Sequence, residues 1–241
     1  MRVGIISDMH GNIYALDAVL AELNRLGVDR SVCNGDVAFG LVTPAAAVDR
    51  VRELGIPCVR GNTDDFPGQP DRFTHDARLA PVLDWFRRDL GDERSQWLAN
   101  LPLRRLDLDG ALLQFHGAPD NNEDSVLHVS LRPMVERSLD EQAAVLSDYT
   151  ARVVTFGHTH TPSEHRVGSK LLVNPGSVSY QLTTRDPRAR FAVLEGEGDE
   201  WAATLHAVEY DWERAARTAE SLGLSISAAA AYQLRHGHPP A

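Results

Sequence analysis

Five short segments of this chain each close an apolar run with residues able to bind a metal ion, and their fixed order restricts the folds open to it. They are Ser7-Asp8-Met9-His10-Gly11-Asn12, Asn34-Gly35-Asp36, Gly61-Asn62-Thr63-Asp64, Phe115-His116-Gly117 and Gly157-His158-Thr159-His160. Asp8, Asp36, Asn62, His10, His116, His158 and His160 supply two carboxylates, one amide oxygen and four imidazoles. That set is enough for two divalent cations if one carboxylate is shared. A fold that gathers these residues must bring several strand ends side by side. Open α/β sheets do so, and they bind ligands in the crevice beyond the carboxyl ends of their strands.

The spacing of apolar residues agrees with such a fold. Val3–Ser7 reads as a strand, and Ile13, Leu16, Val19, Leu20, Leu23 and Leu26 then recur at helical spacing between the start signal Gly11-Asn12 and the stop signal Gly27. Ser31–Cys33 and Pro57–Val59 read as strands, with a helix between them from Thr43-Pro44 to just before Gly55. Strands at Leu112–Phe115 and Val153–Phe156 flank a helix near Met134 to Ser147. Lys170–Val173 is a further strand. Phe191–Glu195 and Ala203–Tyr210 form a hairpin through Gly196-Glu197-Gly198. No helix separates these late strands, so a second, mixed or antiparallel sheet is expected. Asp211 to Leu222 reads as a closing helix, and the tail from His236 to Ala241 is expected to fray. The whole chain, 1–241, reads as a single domain, with a cap or lid of one or two helices inserted near 63–111 around the loop Pro67-Gly68-Gln69-Pro70.

Composition excludes several classes. The 34 acidic residues outnumber the 24 basic ones, and the formal net charge of -10 argues against long-range attraction to nucleic-acid backbone or anionic membrane. Cys33 and Cys58 lie in apolar runs and do not make a disulfide framework. A reducing compartment suits them. With no basic-then-apolar leader and no apolar run of membrane-spanning length, a cytoplasmic protein is expected. The partner implied is a small molecule.

Two divalent ions roughly 3.5–4 Å apart can clamp an in-line displacement and generate hydroxide from water. Imidazole, carboxylate and amide oxygen without thiolate favour Mn, Fe, Zn, Co or Ni and do not choose among them. Asp-x-His, Gly-Asp, Gly-Asn, a later His and Gly-His-x-His, in this order, resemble the calcineurin-like metallophosphoesterase superfamily. The resemblance runs from residue 3 to about residue 180. The Asp-Met-His-Gly-Asn opening, the Gly-Asn-Thr-Asp loop and Asn174-Pro175-Gly176-Ser177 are further similar to its compact bacterial and archaeal phosphodiesterase branch.

The resemblance implies an α/β fold, specifically a two-sheet α/β/β/α sandwich. It implies that Asp8, His10 and His160 hold one metal, that Asn62, His116 and His158 hold the other, and that Asp36 bridges. Asp36, Asn62, His116, His158 and His160 would then act catalytically through metal-activated hydroxide on a phosphomonoester or phosphodiester. Hydrolysis of dinucleoside polyphosphates or another nucleotide is the alternative. A metal-poor scaffold binding partner proteins is a third reading, which requires degraded ligands, and none is degraded here. Many members of the superfamily carry His directly after Gly-Asn, as proton donor to the leaving group; this chain has Thr63.

Substrate contacts are expected from Asn12, at a helix start, and Arg60, whose guanidinium suits phosphate. His128 joins them because the polar loop Asp120–Asp124 would carry it towards the cleft. His75, His165, His206, His236 and His238 lie outside the motifs and read as surface or packing residues. Asp64 and Asp65 read as turn residues or as partners of His10 or His160, and Asn174 as a loop stabiliser. Trp85-Phe86 and Trp97-Leu98 read as packing within a lid or between copies of a homo-oligomer.

Overall fold

The computed structural model describes residues 1–69, 79–131, 134–182 and 184–240. Two main sheets lie face to face with helices outside them. The first has the order β11-β10-β1-β2, from β1 (Arg2–Ile6), β2 (Arg30–Cys33), β10 (Ala189–Glu197) and β11 (Glu200–Val208). The second has the order β3-β4-β7-β9-β8, from β3 (Arg104–Asp107), β4 (Leu112–Phe115), β7 (Val153–Thr155), β8 (Ser163–Val167) and β9 (Lys170–Asn174). β1 and β2 run parallel, as do β4, β7 and β9. Their carboxyl ends therefore share one edge of the molecule.

Alternation along the strands builds three apolar layers. Val3, Ile5 and Val32 meet Leu112, Val153 and Leu171 between the sheets. On the outer face of the first sheet, Ile6 and Phe191 pack under α1 (Ile13–Arg25), α2 (Pro44–Glu53), α3 (Ala80–Ala99), α5 (Trp212–Ser221) and α6 (Ser227–His236). On the outer face of the second, Leu113, Phe115 and Val154 pack with Leu146, at the end of α4 (Leu139–Val145). β5 (His128–Leu131) and β6 (Met134–Glu136) form a separate two-stranded ribbon.

The structure departs from the sequence reading in four places. Pro57–Val59 is no strand but a single bridge between Cys58 and Cys33, because after Val59 the chain leaves the sheet edge and the Arg60 N–H donates to the Pro102 carbonyl (2.8 Å). The helix expected from Met134 starts only after Ser138. There Ser138 and Glu141 cap it reciprocally, while 134–136 pair with β5. The late strands do not make a sheet of their own: β8 and β9 complete the second sheet, and the β10–β11 hairpin extends the first beside β1. Finally, α6 follows α5, and the tail is anchored where the Arg185 N–H donates to the Gly237 carbonyl (3.2 Å).

Within 63–111, α3 breaks at Gly91, and residues 70–78 lie outside the described residues. Phe86 and Leu98 are fully buried against the α2 side of the core, with Trp85 and Trp97 packed beside them. Those aromatic groups therefore pack within the chain.

Candidate metal centre

Five connections carry the seven residues to one place. Asp8 and His10 follow β1, Asp36 follows β2, Asn62 follows the Cys58 bridge, His116 follows β4, and His158 and His160 follow β7. Asp8, His10, Asp36, His158 and His160 all adopt positive φ, between 48° and 70°. Left-handed backbone is uncommon outside glycine, and each such residue is costly enough to persist only where its surroundings impose it. Those surroundings are close. A Cβ on Gly61 would collide with Asp36 Oδ1, and one on Gly157 would collide with Ser7 and stand 2.6 Å from Asp8 Oδ2. Both glycines let one loop lie directly on another.

A polar frame beneath the loops fixes each ring. His10 Nδ1 lies 2.8 Å from the Phe39 carbonyl and His116 Nδ1 2.7 Å from that of Asn34, while His160 Nδ1 meets the Tyr180 carbonyl. A carbonyl only accepts, so these three Nδ1 atoms carry protons and the Nε2 lone pairs turn inward. His158 is reversed: Nε2 donates to the Glu123 carbonyl (3.1 Å), leaving Nδ1 towards Asn62.

The inward atoms then face one another with too few protons among them. His10 Nε2 stands 3.1 Å from His160 Nε2 and 3.8 Å from Asp36 Oδ2. His160 Nε2 stands 3.3 Å from Asp8 Oδ1. On the other side of Asp36, His116 Nε2 lies 3.5 Å from the same Oδ2 and 3.1 Å from Asn62 Oδ1, which His158 Nδ1 also approaches at 3.1 Å. Lone pairs that converge in this way require positive charge between them. The ligand atoms of Asp8, His10, Asp36 and His160 all lie within 4.8 Å of one another and could hold a metal ion.

The protein's own charges show the same demand. Burial works against the charge of Asp36, yet His116 and His10 hold its carboxyl well below the usual range; Asp8 is lowered against burial chiefly by His160. Burial likewise opposes a proton on His116, but Asp36 pushes the ring up to about 10, and Asp8 raises His160 in the same way. His158 is held down to about 4 by burial and by His116, and His10 is lowered by burial and by His160. The two carboxylates thus favour positive charge on the rings beside them, in a place where cations would serve as well.

The remaining expected residues fall elsewhere. Asn12 is fully buried; its Oδ1 accepts from the Ala15 N–H (3.2 Å) as the cap of α1, and its Nδ2 donates to Ser179 Oγ (3.0 Å). Arg60 donates to the Ala99 carbonyl (2.6 Å) and pairs with Asp65 (3.2 Å), which turns its guanidinium to the end of α3. His128 contacts Ser125 (3.1 Å) and lines a separate cavity with Glu136, Gln142 and His165. The polar loop reaches the centre instead through the Glu123 carbonyl. His75 lies outside the described residues.

Asp64 is neither a surface turn residue nor a partner of histidine. Buried, it accepts from the N–H groups of Asp36 (3.0 Å), Val37 (2.9 Å) and Gly61 (2.9 Å), clamping two ligand loops together. Burial and the adjacent Asp36 carboxylate push it up to about 7. Asn174 holds the His158 loop through the Gly157 carbonyl (2.8 Å) and Thr159 (3.1 Å). Asn34, Gln114 and Ser177 were not singled out by sequence reasoning. Asn34 donates to the Phe156 carbonyl (3.1 Å) and Ser177 to that of Asp8 (2.8 Å), so polar residues at strand ends were the available signal.

A two-sheet α/β sandwich with this cluster at its strand ends defines a class of metal-dependent phosphoesterases. Residues 1–199 match the calcineurin-like phosphoesterase superfamily domain, and the chain belongs to that superfamily. A metallophosphoesterase of Sphaerobacter thermophilus is 28% identical and superposes with a TM-score of 0.77, covering 98% of this chain and 100% of that one. A hypothetical protein of Pyrococcus horikoshii superposes with a TM-score of 0.80 at 19% identity, over 99% of each chain. An uncharacterized protein of Methanocaldococcus jannaschii is 24% identical over 231 residues, 88% of this chain and 89% of that one. Among the described residues, no helix is long and apolar enough to cross a membrane.

Proposed function

We propose that this protein is a binuclear metallophosphoesterase that hydrolyses a small phosphomonoester or phosphodiester in the cytoplasm. Asp8, His10 and His160 would hold one divalent cation, Asn62, His116 and His158 the other, with Asp36 shared. The observation that carries this reading is the convergence of acceptors on both sides of one carboxylate: Asp36 Oδ2 faces His10 Nε2 at 3.8 Å and His116 Nε2 at 3.5 Å.

Mn, Fe, Zn, Co or Ni, which suit this donor set, would acidify water and neutralise phosphoryl oxygens there. The chain's own part is to hold the ligands still. The Thr63 N–H donates to Asp36 Oδ1 (2.9 Å), leaving Oδ2 to the centre, and four backbone carbonyls fix the four imidazoles. Thr63 itself supplies no proton near neutral pH, because an aliphatic hydroxyl is far too weak an acid. The chain is taken in this reading as a single domain; of the lid expected near 63–111, the described part belongs to the domain body, because α3 packs on the core and β3 pairs with β4.

Elemental analysis and a substrate screen test the proposal together. Protein prepared without chelator, or reconstituted, should saturate at about two divalent ions per chain and hydrolyse aryl phosphoesters. Saturation at one ion removes the shared role of Asp36. Two ions with no turnover on any phosphoester would leave a metal-binding scaffold.

A further inference from the structure

Beside the centre lies a cavity of about 370 Å³ whose lining contrasts with the cluster. Its inner end is formed by His10, His160 and Thr63, so an occupant would touch both the cluster and the cavity. Phe39, Leu41 and Tyr180 make one wall. Ile226, just before α6, and Ala230 of α6, with Pro239 and Pro240 of the tail, make the other. Among the described residues, no Lys, Arg, Asp or Glu lines it.

The few polar groups are mostly engaged in holding the walls. Gln233 Nε2 donates to the Gln181 carbonyl (2.9 Å), and the Tyr180 hydroxyl accepts from the Leu41 N–H (3.3 Å). Thr63 Oγ1 is buried and has no hydrogen-bond partner among the described residues. The wall made by α6 and the tail comes from residues beyond the 1–199 family match.

We propose that this cavity receives the organic part of the ester and takes an uncharged aryl or branched-alkyl group rather than a nucleoside or a second phosphate. The proposal rests on the phosphoesterase reading. A second phosphate would find no cationic side chain among the described residues that line the cavity. A nucleobase would bury donors and acceptors with few partners, and each one left unsatisfied weakens binding roughly ten- to a hundredfold. An apolar group loses nothing there and gains about fourfold for each buried methylene.

The test measures binding and turnover separately on the full chain with divalent metal bound. para-tert-Butylphenol should bind at least about tenfold more tightly than phenol or adenosine by calorimetry. para-tert-Butylphenyl phosphate should exceed phenyl phosphate in kcat/KM by a similar factor, although the two leaving groups have nearly equal acidity. Methyl diesters of the same phenols extend the comparison if monoesters are inert. Ala229, exposed on α6, and Leu182, 41% exposed, lie on the lining outside the ligand set. Ala229→Phe and Leu182→Asp should each bring both preferences to within about twofold while leaving the metal content unchanged, because neither residue belongs to the ligand set. Equal binding of the three compounds, tighter binding of adenosine, or preferences that survive both substitutions would overturn the proposal. Selective binding abolished by the variants, without hydrolysis of any ester, would uphold the cavity and sink the phosphoesterase reading instead.

Discussion

The layer between the sheets and the rim of loops above it are built on opposite principles. Val3, Ile5, Leu112, Val153 and Leu171 are buried apolar side chains on regular strands, each paired in register with its neighbours. A few residues further along the same strands, Asp8, Asp36 and His160 are buried polar groups on left-handed backbone. The first region stabilises the fold by removing apolar surface from water. The second concentrates like groups whose repulsion and strain the fold must withstand, which is how sites are held ready for ligands. Stability and chemistry therefore sit on one set of strands but on different residues, and substitutions should separate them.

The largest effect on turnover is expected from Asp36→Asn. Losing the shared carboxylate should lower kcat by at least about 10²-fold and remove both cations together, whereas His10→Ala and His116→Ala should each deplete mainly one. Because His116 and His10 hold the Asp36 carboxyl well below the usual range, removing its charge leaves His116 without its partner, and thermal unfolding of the metal-free variant should be easier than that of the metal-free parent. Full occupancy and rate in Asp36→Asn, by elemental analysis and kinetics, would break the division between the two regions.

Asp64→Asn comes next. Its amide cannot accept from three backbone N–H groups as a carboxylate does, so the loops bearing Asp36 and Asn62 should loosen. A 10–100-fold weaker metal affinity is expected, with kcat partly restored at saturating metal. Unchanged metal titration would show that the clamp serves folding alone.

A smaller effect concerns Thr63. General acid catalysis typically contributes about 10²–10⁴-fold, so a centre without it should favour aryl over alkyl phosphoesters strongly, and Thr63→Ala should change rates little. Thr63→His should flatten the dependence on leaving-group acidity if its imidazole reaches the departing oxygen. A flat dependence in the parent, with chemistry rate-limiting, would mean that another group donates the proton.

Leu112→Ala should affect turnover least. Its side chain is fully buried between the sheets, and the cavity left behind should cost about 2–5 kcal/mol of stability in denaturant unfolding. The rate at saturating metal should stay within about twofold of the parent. A large loss of rate in a folded variant would show that the apolar layer tunes the centre directly.

The sequence by itself determined the seven cluster residues, the strands that carry most of them and the family. Strand ends are marked by apolar runs followed by Gly, Asp, Asn or His, and that pattern is local. It also determined α1, α2, α5 and the β10–β11 hairpin, whose periodicities and turn residues are local signals too. Tertiary structure decided what depends on partners distant in the chain. Asn12 and Arg60 have side chains suited to phosphate, but burial against Ser179 and the proximity of Ala99 and Asp65 direct them elsewhere. Asp64 is one of two adjacent aspartates, and only the arrival of the Asp36 loop makes it a clamp. The alanine run of α6 carries no metal-ligand or charged side chain to mark it. Packing of α6 on the first sheet's helices, with the tail anchored through Gly237, turns it into the wall of a cavity beside His10 and His160.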